Sequence, residues 1–391
     1  MSGSSLTEPF EEEQLSWYKA DRFYPVHIGE ILNAKYKVIG KLGWGAYFTT
    51  WLCRNILDSS FTAVKVGTRD VDRPKSFDRE VKFYERVNSL ATDHAGSACI
   101  RGLHEVFKLS GPTGDHLCLV QPPMHMTMRE LQQRNSSRRL NEQLLKWTLF
   151  NLLHALSFLH DEVGAVHTDI SPSNIMFTIS DESLLTEFER AEAEDPSPVK
   201  VIDSVRSIYA SRKFGLPKDL LWGQPVLCDF GETRLGLLHK GPIQSDLYRA
   251  PEVLFDMEWT TSVDIWSVAT LAWDLFENRQ LFHALNAKNQ TSATRHIAET
   301  VAYLGCPPLE YIQRSPITSK VFDERGSWRG AGNTSIPPIT LEQAEIVLEG
   351  RSKEEFLAFI RSMLKWLPEE RLTAADLLKH SWMIDAIPKS E

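Results

Sequence analysis

The sequence predicts an α+β chain of two lobes, a small antiparallel β-sheet lobe followed by a larger helical one. Two textures carry this reading. From Tyr36 to Arg69 the residues alternate and are rich in β-branched side chains; from Asn141 onward apolar residues recur at helical spacing. At 391 residues, 42% hydrophobic and 24% charged, the chain can fill two cores of ordinary soluble composition.

Residues 1–30 are polar, acidic and studded with aromatics, and read as an N-terminal arm. The small lobe is expected over 31–124. There "YKVIGKLGWGAYFTTWLCRN" and "FTAVKVGTR" read as strands parted by the turn-prone "LDSS". "SFDREVKFYERVNSL" reads as a helix with Phe77, Val81, Tyr84 and Val87 on one face. "GDHLCLVQPPM" reads as a strand stopped by its prolines, which bring no N–H to a ladder. The large lobe is expected over 125–386, and "NEQLLKWTLFNLLHALSFLHDE" is its clearest amphipathic helix. Further helices are expected at "SVDIWSVATLAWDLFE", "ATRHIAETVAYLG", "SKEEFLAFIRSMLKWL" and "TAADLLKHSWM". A stretch at about 178–223, charged early and Gly/Pro-punctuated late, fits neither texture. It reads as an insertion in the large lobe, with residues 180–215 expected to be removable. Residues 387–391 are a tail.

The net charge of −9 argues against direct nucleic-acid binding and suits a basic protein partner. Cys53, Cys99, Cys118, Cys228 and Cys306 form no C-x-x-C pair, which points to a reducing compartment rather than to disulfides or structural zinc. The start "MSGSSLTEPFEEEQ" has neither part of a signal peptide, and no apolar run is long enough for a bilayer, so no membrane role is expected.

The chemistry is carried by motifs in a fixed order. In "GWGAYF", Gly43 and Gly45 would let backbone N–H groups approach phosphates, with Leu42 and Trp44 beside them. Lys65, on a following strand in "TAVKV", matches the lysine that holds α- and β-phosphates. It needs a carboxylate on the next helix; Glu80 shares the face of Phe77 and Tyr84, whereas Glu85 faces solvent. "HLCLVQPPM" runs into a hinge with Gln121 as its gatekeeper. The Pro122 carbonyl and the N–H and carbonyl of Met124 would then meet adenine. "HTDISPSN" sets His167, Asp169 and Asn174 at the spacing of the H-R-D-L-x-x-x-N loop, its Asp a base and its Asn a metal ligand. "DFG" supplies Asp229 as a second magnesium ligand, with Phe230 and Gly231 behind it. "LYRAPEVLF" completes an A-P-E at Ala250–Glu252. Asp264 and Arg371 read as scaffold, Arg371 pairing with Glu252. Asp246 and Arg249 read as substrate-positioning. Together these residues predict a protein-kinase fold using ATP and magnesium. A small-molecule phosphotransferase would lack "LYRAPEVLF".

The segments "KADRFYPVHIGEILNAKYKVIGKLGWGAYFTTWL" and "HTDI", with Asp229 following Asp169 by 60 positions, resemble the SR-protein kinases from about residue 18 to 385. That resemblance implies a serine kinase acting on Arg/Ser-rich segments of splicing factors, expected as a monomer of cytoplasm and nucleus. Ser171 stands where that family carries Lys; Ser245, Asp246 and Leu247 stand where it carries T-R-Q.

Thr168 replaces the Arg that reads a phosphorylated activation loop, and only Thr233, Ser245 and Tyr248 could accept phosphate there. Activity without loop phosphorylation is therefore expected. Losing a preorganised cation at Ser171 would cost roughly 10²–10³ in rate, unless Lys240 substitutes. A nucleotide-binding scaffold without transfer is the alternative.

Overall fold

The computed structural model describes residues 8–72, 74–218, 221–286 and 288–384. The chain divides into two compact units. One holds the chain through Glu85, with Arg101–Met126 and Met176–Gln224; the other holds Arg86–Ile100, Thr127–Ile175 and the chain from Pro225.

In the first unit, Ile31–Leu32 (β1), Tyr36–Gly45 (β2), Phe48–Asn55 (β3), Phe61–Arg69 (β4), Glu105–Gly111 (β5) and Gly114–Gln121 (β6) form one antiparallel sheet. Its order is β1–β2–β3–β4–β6–β5. Sequence reasoning passed over β5, whose side chains are mostly solvated and show one buried residue, Phe107. Successive residues on β2 and β3 point to opposite faces. Val38, Trp51 and Cys53 enter one core with Val64, Val66, Cys118 and Val120, while Ile39 and Leu52 enter another.

That second core is completed by the stretch read as an insertion. Its helix Ser183–Glu194 buries Leu184, Leu185 and Phe188 there, with Phe214 beside them. Phe188 comes so near Gly40 that a Cβ on the glycine would stand 2.9 Å from the ring. Residues 176–224 thus group with the sheet rather than with the large lobe, and 180–215 contain part of a core. The expectation that they are removable is corrected accordingly. The arm is corrected too: Phe23 and Val26 are buried, and Glu12 pairs with the fully buried Lys41.

In the second unit Ser262–Glu277 is apolar around its circumference, which suits only an interior helix. Every residue from Val263 to Glu277 is buried. The helix Glu142–Ser157 packs on it and buries Leu145, Leu149, Leu152 and Leu156. A widened turn, Phe158–Val163, follows and ends at Gly164 with φ +68°, feeding the short strand Ala165–Val166 and the loop after it. Helices Ala293–Leu304 and Gly350–Met363 lie where periodicity places them; "TAADLLKHSWM" is two short helices, Ala374–Leu377 and Ser381–Ile384. Among the described residues no helix is long and apolar enough to cross a membrane.

Candidate active site

Lys65 sits on β4, and its Nζ donates to Glu80 Oε2 at 2.6 Å. Both side chains are buried, and the rings of Phe48 and Phe77 lie 4.3 and 5.4 Å from the ammonium. Such surroundings strengthen an ion pair. Glu80 lies on the helix Lys75–Asn88 with buried Phe77, Phe83 and Tyr84, and Glu85 is exposed. β2 and β3 close a hairpin with Gly43 opposite Thr50, Trp44 opposite Thr49 and Gly45 opposite Phe48. A Cβ on Gly45 would stand 2.5 Å from the Phe48 ring and force that side chain to move; Gly43 borders open space. Leu42 leans on the core shared with Phe188. Gln121 is buried and donates to Tyr84 Oη at 3.1 Å, which donates in turn to the Arg101 carbonyl.

In the second unit Asp264, fully buried, accepts from the N–H groups of His167 and Thr168 at 2.8 Å each and from His160 Nε2 at 2.9 Å. Thr168 has φ +70°, costly for a β-branched residue, and its Oγ1 donates to the Glu232 carbonyl. Asp264 holds that strained backbone in place. His167 Nδ1 accepts from the Asp169 N–H at 3.2 Å, while its Nε2 faces the Cys228 carbonyl at 3.3 Å. A neutral ring protonated at Nε2 satisfies both. Phe230 is fully buried, edge-on to His167 at 5.4 Å. Asp229, with φ +61°, is exposed and accepts from the Gly231 N–H.

Asn174 Nδ2 donates to both the carbonyl and Oδ2 of Asp169 at 2.8 Å. That leaves its Oδ1 as an oxygen for a cation. Burial raises the Asp169 carboxyl above the usual range, the Asn174 bond opposes this, and Asp229 and Glu232 add to it. Among the described residues no group of three His, Cys, Asp or Glu side chains could hold a metal alone. One carboxylate and one amide oxygen fit a hard ion that completes its shell with phosphate and water. Glu252 and Arg371, both buried, form a bidentate pair with two bonds of 2.7 Å.

The sequence matches the protein kinase domain over residues 36–213 and 220–383. The chain belongs to the protein kinase family. It is 40% identical over 375 residues to a serine/threonine protein kinase of Aspergillus fumigatus, covering 96% of this chain and 91% of that protein. It is also 24% identical over 408 residues to the serine/threonine-protein kinase SRPK of Physarum polycephalum, covering 97% and 92%. Against SRSF protein kinase 3 of Homo sapiens it is 23% identical over 514 residues, covering 95% and 90%. A crystallographic kinase domain matches with TM-score 0.69 at 23% identity, over 93% of this chain and all of that one. The protein is a serine/threonine kinase, a divergent relative of the SR-protein kinases.

Three expectations for this kinase change. The Pro122 carbonyl is already engaged by Arg101 Nε and Nη2 at 3.1 and 2.8 Å, so it is not the open acceptor assigned to adenine. Asp246 accepts from Arg249 Nη1 at 2.7 Å, and Arg249 also donates to the carbonyls of Ile243 and Gln244. Those bonds commit Arg249 to the local turn, so it is not free to position a substrate as expected, whereas the Asp246 side chain is partly exposed and its second carboxylate oxygen lies outside them. Lys240 turns to Asp256 at 3.6 Å and does not replace the missing loop lysine. Sequence reasoning also missed His160, Arg101 and Glu232. Only His160, a polar residue closing an apolar helix pattern, left any signal.

Proposed function

We propose that this kinase uses ATP with magnesium to phosphorylate serines in Arg/Ser-rich protein segments. The supporting observation is the assembled loop: Asp169 is oriented by Asn174 and backed by His167, with Thr168 pinned on Asp264. Asp169 would take the proton of the attacking hydroxyl, and its raised affinity for protons suits a base. Lys65, held by Glu80, would steady the nucleotide phosphates. Asn174 and Asp229 would hold the metal ion, which neutralises developing phosphate charge when bound.

Thr233 and Tyr248 are buried, and Tyr248 Oη donates to Asp274 Oδ2 at 2.5 Å, so neither is open to modification. Ser245 alone of the three is exposed. This supports activity without loop phosphorylation. The Arg/Ser substrate class and a place in cytoplasm and nucleus rest on the SR-protein kinase resemblance, with the charge of −9 adding attraction for basic segments. Labelled ATP, magnesium and two substrates test the reading: an Arg/Ser-repeat peptide and a generic basic protein of equal serine content. Preference for the repeat is expected. Equal labelling would remove the substrate class, and binding without labelling would favour the scaffold.

A further inference from the structure

The N-terminal segment is anchored on β2, just before the glycine hairpin's tip, and on β4 beside it. Glu12 pairs with Lys41, a fully buried lysine two residues before Gly43, and Glu11 lies 3.5 Å from the same ammonium. Nine residues after Glu12, Asp21 pairs with Arg69 at the end of β4, at 3.2 Å. Between these anchors Trp17 stacks on Tyr47, ring centroids 4.8 Å apart and planes 20° from parallel. Tyr47 is in the turn of the hairpin, and the Arg22 guanidinium sits 5.5 Å from the Trp17 ring. A hairpin tip carrying glycines is intrinsically loose. Nothing about ordinary strand pairing calls for an aromatic residue from 30 positions away to cap it.

We propose that Trp17 is a positioning residue for the nucleotide: stacked on Tyr47, and tethered through Glu12 and Asp21, it holds the glycine hairpin in its phosphate-binding form. The inference rests on the reading of Gly43–Phe48 as the nucleotide loop. Its physical basis is preorganisation. A loop ordered before binding loses less freedom when the ligand arrives. The buried Lys41 explains the tether, since a buried cation without a carboxylate is strongly disfavoured.

The test is titration of the full-length kinase with a fluorescent ATP analogue and magnesium, with KM measured for ATP and for peptide. Trp17→Ala should weaken analogue binding and raise KM for ATP by about 3–10-fold, the scale of one aromatic pair. KM for peptide and the melting temperature should move little, and Trp17→Phe should restore affinity. Tyr47→Ala should show the same loss, and the double variant no more than either alone. Unchanged affinity in Trp17→Ala, or additive losses in the double variant, would overturn the clamp. Tyr47→Ala carries the test if Trp17→Ala proves unstable. Lys65→Met, run alongside, must bind the analogue poorly. If it does not, the nucleotide reading itself fails and the clamp falls with it.

Discussion

Asp169 shows how single residues set the chemistry here. Its carboxyl is raised by burial first, and the nearby Asp229 and Glu232 carboxylates push in the same direction. A base works only when ionised, so transfer should rise with pH through a limb lying above the ordinary aspartate range. Glu232→Gln removes one like charge and should move that limb to lower pH; an unmoved or raised limb would contradict the electrostatic account. Glu252 and Arg371 make a second residue-scale prediction. Removing one partner of a buried pair leaves an uncompensated charge, so Arg371→Ala should cost about 3–5 kcal/mol in denaturant unfolding. Lys65 with Glu80 was legible in the sequence because the helix face chosen by Phe77 and Tyr84 also carries Glu80. Asp246 was not, because sequence alone cannot choose between a substrate arginine and the chain's own Arg249. The Pro122–Arg101 contact was hidden for another reason: the residues are far apart along the chain, and no periodicity joins them.

At the scale of elements, periodicity was the reliable guide wherever one face is apolar. The helix Glu142–Ser157 and the strands β2 to β4 were visible for that reason, and Ser262–Glu277 by its long apolar run. The helix Ser183–Glu194 failed the same reading, because Leu184, Leu185 and Phe188 are a sparse stripe within "SLLTEFERAEAE". The acidic residues outnumber the stripe, and one of them, Glu192, is buried in bonds with Ser197 and Arg212. Composition therefore suggested a solvated insertion where packing makes a core. Phe188→Ala should destabilise the protein by about 3–5 kcal/mol, the usual cost of emptying a buried aromatic site. Chemical denaturation decides it. A change near zero would restore the insertion to the dispensable status first expected.

For the molecule as a whole, stability should carry a pH signature outside the candidate site. Glu277 and Glu345 are both buried, accepting from the N–H groups of Ile346 and of Val347 and Leu348 respectively. Burial pushes the Glu277 carboxyl up to about 7, and Glu345 beside it adds to the rise. Below about 4.5 this carboxyl is protonated whether the chain is folded or not, and it contributes nothing to pH dependence. Between about 4.5 and about 7 the unfolded chain ionises more readily, so stability falls as pH rises and stays lower above. Glu277→Gln should flatten that fall and raise the melting temperature at pH 8 more than at pH 5. Equal shifts at both would contradict the assignment.

The catalytic loop of this kinase transfers phosphate although Ser171 replaces its lysine. Single-turnover transfer from labelled ATP to a serine peptide tests it most directly, comparing wild type with Asp169→Asn and following nucleotide binding in the same preparations. Wild type should transfer at roughly 0.001–1 s⁻¹, the rate left after loss of one preorganised cation. Asp169→Asn should bind nucleotide almost as tightly and transfer at least about 100-fold more slowly. Nucleotide binding by wild type with no transfer would make the chain a scaffold, and equal transfer by both proteins would remove Asp169 as the base.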